Sequence, residues 1–158
     1  MTQKVNVKDL LIQISELSHQ FGTADYVRGG GGNTSVKTED TLWVKPSCTR
    51  SAALTPESFV ALNRKKLSLL YAIEPPTEPS EREALVKETM KQAAKTGTIG
   101  RPSVEAPLHD SLNAGFVVHT HPALVNGMTC SKNGVRVCKE IFPTALWLDY
   151  IDPGYTLC

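Results

Sequence analysis

Two histidines, His119 and His121, stand at i and i+2 in the run Phe116-Val117-Val118-His119-Thr120-His121. On a β-strand such side chains leave the same face, roughly 7 Å apart at the backbone, so both imidazoles can converge on one cation. Zinc takes imidazole nitrogen at about 2.0 to 2.1 Å, and a catalytic zinc site usually combines three protein ligands with an open position. The pair alone is one ligand short, and two histidines hydrogen-bonded at a strand end account for it equally well. Upstream, Pro102-Ser103-Val104-Glu105-Ala106-Pro107-Leu108-His109 puts Glu105 and His109 at i and i+4, on one face of a helix. A carboxylate there is placed to ligate a metal or to act as a general base beside it. The commoner role for such a glutamate is to complement a helix dipole. His109 reads as a packed or supporting histidine.

A second constellation is Gly29-Gly30-Gly31-Gly32-Asn33-Thr34-Ser35, preceded by Arg28. Glycines let backbone amides turn inward with no Cβ in the way, a nest that suits a phosphate. Neither a P-loop nor a dinucleotide fingerprint is present, and four glycines are more often only a flexible loop.

The elements that must position these residues follow from periodicity. Val7, Leu10, Leu11, Ile14, Leu17 and Phe21 recur at helical spacing, with Asn6 to cap the start, Asp9 in the first turn and Gly22 to stop it. Two short alternating segments, 34–38 and 41–45, joined by Glu39-Asp40, predict a hairpin. Thr55-Pro56-Glu57 starts a short helix, and residues 73–79 form a proline-rich loop. Ser80-Glu81-Arg82-Glu83 reads as a capping box before a helix ending near Gly97. A helix over 105–114, a strand over 116–121 closed by Pro122, and two further strands over 135–140 and 145–150 complete the pattern. Helices alternating with strands predict a single α/β domain with a mixed sheet.

The 158 residues suit one compact domain, and 41% hydrophobic with 21% charged residues is the composition of a soluble globular protein. No apolar run approaches the roughly 20 residues needed to cross a bilayer, and the start MTQKVNVKDL carries no readable secretory signal. A cytoplasmic location is the expectation. The formal charge of +1 gives no footprint for nucleic acid or an anionic membrane. Cys48, Cys130, Cys138 and Cys158 are far apart with no C-x-x-C pair and read as reduced thiols.

Taken in order, Gly-Gly-Asn-Thr-Ser, then Lys45-Pro46-Ser47, then Pro102-Ser103-x-Glu105 with His119-x-His121-Pro122, the motifs resemble the class II aldolase and adducin family over nearly the whole chain. That family includes fuculose-phosphate and rhamnulose-phosphate aldolases and ribulose-phosphate 4-epimerase. The resemblance implies a three-layer α/β/α fold with a central mixed, largely antiparallel sheet, and a homotetramer. It implies zinc, or another divalent metal, on His119 and His121, with Glu105 as acid/base that can also touch the metal. It implies that Gly32, Asn33, Ser47 and Ser103 hold the phosphate of a sugar-phosphate substrate. The implied reaction is retro-aldol cleavage of a ketose phosphate through a metal-stabilised enediolate. Alternatives on the same scaffold are a sugar-phosphate 4-epimerase, a sugar-acid decarboxylase and a non-catalytic, adducin-like binding module. The family's third zinc histidine lies in a later His-Gly segment not reached by Pro153-Gly154-Tyr155-Thr156-Leu157-Cys158, so the family pattern is expected to be cut short, with an exposed sheet edge. Cys48 stands where the family often has glycine.

Overall fold

The computed structural model describes residues 6–152 and 155–157. Residues 1–5, Pro153, Gly154 and Cys158 lie outside the described residues, and with them the reading of Cys158 as a reduced thiol.

Helix α1 (Val7–Gln20) forms as its spacing requires: the Asn6 side chain accepts a hydrogen bond from the Lys8 amide, and Phe21 closes the last turn onto Leu17. Strands β1 (Asn33–Lys37) and β2 (Thr41–Val44) make the expected hairpin, and β3 (Val60–Asn63) and β4 (Phe116–His119) add to either side. The order is β3-β2-β1-β4, antiparallel at every pairing.

Alternation along the strands sorts the two faces. Val36 faces α1, joining Ile14, Leu54 and Phe59 in one cluster with Trp43 and Phe116 packed against it. Leu42, Val44, Val60 and Leu62 face the other way, onto Leu67, Leu70, Val86, Met90, Ala93 and Ala106. Those partners come from α2 (Arg64–Leu67), the 3-10 turn Ser68–Ala72, α3 (Pro79–Ala93) and α4 (Ala106–Ser111). Helices therefore cover both faces of the sheet, the α/β/α layering expected.

Four local expectations are corrected. The helix expected to start at a Ser80 capping box begins with Glu78 as N-cap and Pro79 at its first position, because proline's fixed φ suits that place. It ends at Ala93, short of Gly97, because Ala94 bridges to Leu62 and the Lys95 amide donates to the Ala61 carbonyl, covering the edge of β3. Residues 135–140, expected as a strand, lie in helix α6 (Gly134–Ile141). Its Arg136–Glu140 pair, 2.6 Å apart, has the i,i+4 spacing of a helix, and the Val135/Val137 alternation only mimics a strand. Residues 145–150 are irregular: among the described residues no strand pairs with them, and Leu146 and Tyr150 stand 84% and 88% exposed. Helix α5 (Ala123–Thr129) links β4 to α6.

Candidate functional site

Strand β1 offers two kinds of side chain. Thr34 and Val36 meet α1, with Thr34 Oγ1 2.6 Å from Ser18 Oγ. Asn33, Ser35 and Lys37, at alternate positions, form a polar stripe toward α4. Ser35 Oγ lies 2.7 Å from His109 Nδ1, and Lys37 Nζ donates to the carbonyls of His109, Asp110 and Leu112 at the C-terminal end of α4. A cation on those last carbonyls complements the helix dipole. One strand face thus fixes the helix whose N-cap is Glu105.

At the front of the stripe, Asn33 pairs directly with His119 in the β1–β4 register, so the two side chains share a face. Glu105 Oε2 receives a hydrogen bond from Asn33 Nδ2 and another from His119 Nδ1, the latter 3.1 Å away. Ser103 Oγ accepts from Asn33 Nδ2 at 3.3 Å and from the Glu105 amide at 3.3 Å, so it both caps the turn and steadies the carboxylate. On the other side of the His119 ring, Nε2 lies 2.9 Å from Nε2 of His121.

The order is therefore Asn33, Glu105, His119, His121 in series. His121 lies beyond the end of β4, where its amide donates to the Tyr26 carbonyl, yet its ring centroid is 4.6 Å from that of His119. Burial pushes the Glu105 carboxyl up, but the hydrogen bond from His119 and the charges of His119, His109 and His121 outweigh it and hold the group below the usual carboxylate range. Burial and the neighbouring His119 lower His121, against the pull of Glu105.

The expected phosphate residues are close but not all free. Gly32 has φ +63°, and a Cβ there would lie 2.5 Å from the His119 carbonyl oxygen and 2.8 Å from Val27, so glycine is obligatory. Gly31 packs near His121 Nδ1, which brings the glycine loop to the histidine pair. Ser47 donates its amide to the Arg101 carbonyl and its hydroxyl to that of Pro102, tying the 46–49 loop to the strand of chain before Glu105. Asn33 and Ser103 face Glu105. Cys48, where glycine was noted as common, holds φ +63°, the conformation that favours glycine.

Three further residues hold the site in ways their motifs and strand positions do not show. Lys45 is 2% exposed, with Nζ donating to the carbonyls of Gly30, Pro46 and Thr49, so it joins the glycine loop to the 46–49 loop. Burial lowers its pKa, opposed by Cys48 and Glu105. Ser35 stood at the end of the glycine-loop motif and Lys37 only in a strand; period-two alternation from Asn33 was the signal available for their shared face. His109, read as a supporting histidine, is wholly buried, and its Nε2 and the Oδ1 of Asn33 are buried without a hydrogen-bond partner.

Two facing imidazole nitrogens beside an open loop are donors suited to a divalent cation. Glu105 Oε2 stands behind His119, on Nδ1, and among the described residues no three His, Cys, Asp or Glu side chains are gathered as a metal-holding group. Cys48, Cys130 and Cys138 are free thiols, and no helix among the described residues is long and apolar enough to cross a membrane.

A family model described as Class II Aldolase and Adducin N-terminal domain matches residues 12–149. A Bacillus subtilis (strain 168) protein named uncharacterized oxidoreductase YuxG is 30% identical over 142 residues, which cover 81% of this chain and 19% of that protein. The chain thus spans about a fifth of the length of that relative. The N-terminal class II aldolase domain of a conserved protein from Thermoplasma acidophilum has a TM-score of 0.81 at 26% identity, over 99% of this chain and 74% of that one. YgbL from Escherichia coli shares the fold at a TM-score of 0.55 and 16% identity, over 80% of this chain and 50% of that one.

Proposed function

The chain belongs to the class II aldolase and adducin family, and from that membership we propose that it carries the active-site core of a divalent-metal-dependent lyase cleaving a ketose phosphate by a retro-aldol reaction. The observation that carries this reading is the series of contacts from Glu105 through His119 to His121. In it, His119 and His121 present nitrogen to a zinc ion or a similar cation. A divalent metal held there would supply a Lewis acid for the negative charge that develops when the carbon–carbon bond breaks.

The chain's own residues do the rest. Glu105, ionised and held in place, accepts the proton of the hydroxyl whose carbon becomes the aldehyde as the carbon–carbon bond breaks, and delivers it to the enediolate carbon of the other fragment. In the resting arrangement its Oε2 is engaged by His119 and Asn33, so direct ligation by Glu105 would require that oxygen to leave them. Gly32, Asn33, Ser47 and Ser103 receive the phosphate, and binding that remote group fixes the reacting carbons near the histidines. The free thiols support a reducing, cytoplasmic setting. The exposed Leu146, Leu148 and Tyr150 support a covered surface, such as the homotetramer implied by the resemblance would provide.

A non-catalytic, adducin-like module on the same fold draws support from a different observation: only two metal-binding nitrogens converge among the described residues. Metal content separates the two readings. Mass spectrometry of the purified protein, beside a His119→Ala, His121→Ala variant, should find near-stoichiometric zinc that the variant lacks. Ketose phosphates offered to the zinc-loaded protein should yield two shorter fragments, and Glu105→Ala should abolish that yield. Metal-free wild-type protein, or cleavage undiminished in Glu105→Ala, would defeat the lyase reading; an epimer or carbon dioxide as product would redirect it to the corresponding sister reaction.

A further inference from the structure

Helix α3 and the strip of chain at residues 100–104 line a shared cleft of about 410 Å³. That volume lies within the roughly 300 to 1,000 Å³ of small-ligand pockets. None of Gly32, Asn33, Ser47 or Ser103 lines it, so it is separate from the candidate phosphate site. Its apolar lining comes from Met90 and Ala94 on one wall and from Pro102 and Val104 on the other. Both walls are held in place from behind. Met90 is buried in the core, and Ala94, at the end of α3, bridges to Leu62 of β3. Across the cleft, Pro102 bridges to Pro46, and the Arg101 carbonyl accepts the Ser47 amide at 2.8 Å. The cleft is thus formed before anything enters it, which spares a ligand the ordering of its walls.

Three cations stand at this cleft, Lys87 and Lys91 from α3 and Arg101 from the strip, and no acidic side chain lines it. Lys87 and Lys91 are at i and i+4 on one helix face, where like charges repel. Among the described residues none of the three is in an ion pair. The acids nearest along the helix are engaged or placed elsewhere: Glu88 accepts from Gln92, and Glu83 lines the next hollow along α3 but not this one. An anion in the cleft would relieve the repulsion. The apolar walls then decide what that anion must carry. A sugar's hydroxyls would lose water there and find no partner on Met90, Ala94, Pro102 or Val104. A short alkyl or aromatic body would instead cover Val104, which is 55% exposed.

We propose that the cleft between α3 and residues 100–104 is a second binding site, which takes a small organic anion with an apolar body and, when occupied, stiffens the strip that carries Ser103 and is stitched to Ser47. The carboxylate or phosphate of that ligand meets Lys87, Lys91 and Arg101, and its hydrocarbon or aromatic part lies between Met90 and Val104. Stiffening follows because a ligand touching both walls opposes their separation. It reaches the candidate site because Ser103 Oγ accepts the Glu105 amide, and the carbonyls of Arg101 and Pro102 hold Ser47. Binding here stands or falls independently of the lyase reading.

The probes are 3-phenylpropionate and phenyl phosphate, titrated into the nitrogen-15-labelled full chain and followed by NMR, beside 3-phenylpropan-1-ol and inorganic phosphate. Both aromatic anions should move the amides of residues 87–94 and 100–104, and the tighter of the two tells whether the site prefers a carboxylate or a phosphate. The neutral alcohol and inorganic phosphate each hold only part of the recognised chemistry and should bind about tenfold more weakly or worse. Lys91→Glu, at an exposed helix position, should weaken both aromatic anions by about tenfold or more, and Arg101→Ala should do the same from the opposite wall. At saturation, hydrogen exchange at the Ser47 amide should slow. No response to either aromatic anion at millimolar concentration, equal binding of the alcohol or of inorganic phosphate, affinity unchanged in both variants, or shifts confined to residues 123–151 would each overturn the site. An unchanged Ser47 amide in saturated protein would overturn the stiffening.

Discussion

Ser35 Oγ on β1 lies 2.7 Å from Nδ1 of His109 on α4, and this is the one hydrogen bond made by an imidazole that is wholly buried. Removing the hydroxyl would leave both ring nitrogens without a partner. Ser35→Ala is therefore expected to cost about 1–3 kcal/mol of folding stability. Urea denaturation monitored by tryptophan fluorescence measures it, and a loss below about 0.5 kcal/mol would mean that the ring finds another partner.

The same imidazole makes stability depend on pH. Burial and the nearby His119 hold the His109 pKa down to about 4 from 6.5, with Glu105 pulling the other way and Lys37 adding to the depression. Between those values the unfolded chain binds a proton that the folded chain refuses. Its contribution is full above about pH 6.5 and is lost as the pH falls toward 4, to a ceiling on the order of 3 kcal/mol. Denaturation curves over that window, compared with those of His109→Gln, should show the slope in wild type and a shallower one in the variant.

Two left-handed positions near the site should respond in opposite directions. Gly32→Ala sets a Cβ 2.5 Å from the His119 carbonyl oxygen at φ +63°. The backbone conformation alone costs about 1–2 kcal/mol, and the clash adds to it. Cys48→Gly, at φ +63° with no demand for a side chain, should be neutral or stabilising by up to about 1 kcal/mol. Paired thermal melts test the contrast; equal and opposite shifts of the reverse sign would contradict it.

Lys45→Met should loosen two loops at once, since Nζ satisfies carbonyls of both Gly30 and Thr49. Losing these part-buried hydrogen bonds from a charged donor costs about 1–3 kcal/mol. Hydrogen exchange at amides of residues 29–32 and 47–50 should accelerate in the variant, while amides of α3, which holds none of the carbonyls that Lys45 Nζ bonds, keep their wild-type rates.

Much of this arrangement is legible in the sequence because local chemistry decides it. Asn6 caps α1 and the hairpin turns at Glu39-Asp40 as their residue types require, and Gly32 is needed where it stands. The spacing of His119 and His121 brought their rings together even though only His119 lies in the strand. What was not legible depends on distant partners. Residues 135–140 alternate like a strand, but a strand needs an edge to join, and helix α6 satisfies its own backbone instead. Asn33 carries no mark that its amide serves a glutamate 72 positions away. Spacing told where Glu105 would be, and only the fold told which nitrogen of His119 it faces.

The two unlike faces of β1 also bear on how the chain avoids folding wrongly. A slip of one residue against β2 or β4 would turn Lys37 toward Ile14 and Leu54, and Val36 toward the helix-end carbonyls that Lys37 now satisfies. Each misalignment would strand a buried cation and three carbonyl oxygens together. The strand that orients the candidate catalytic carboxylate thereby proofreads its own register, and a chain that has paired β1 correctly has already set the geometry of its reactive end.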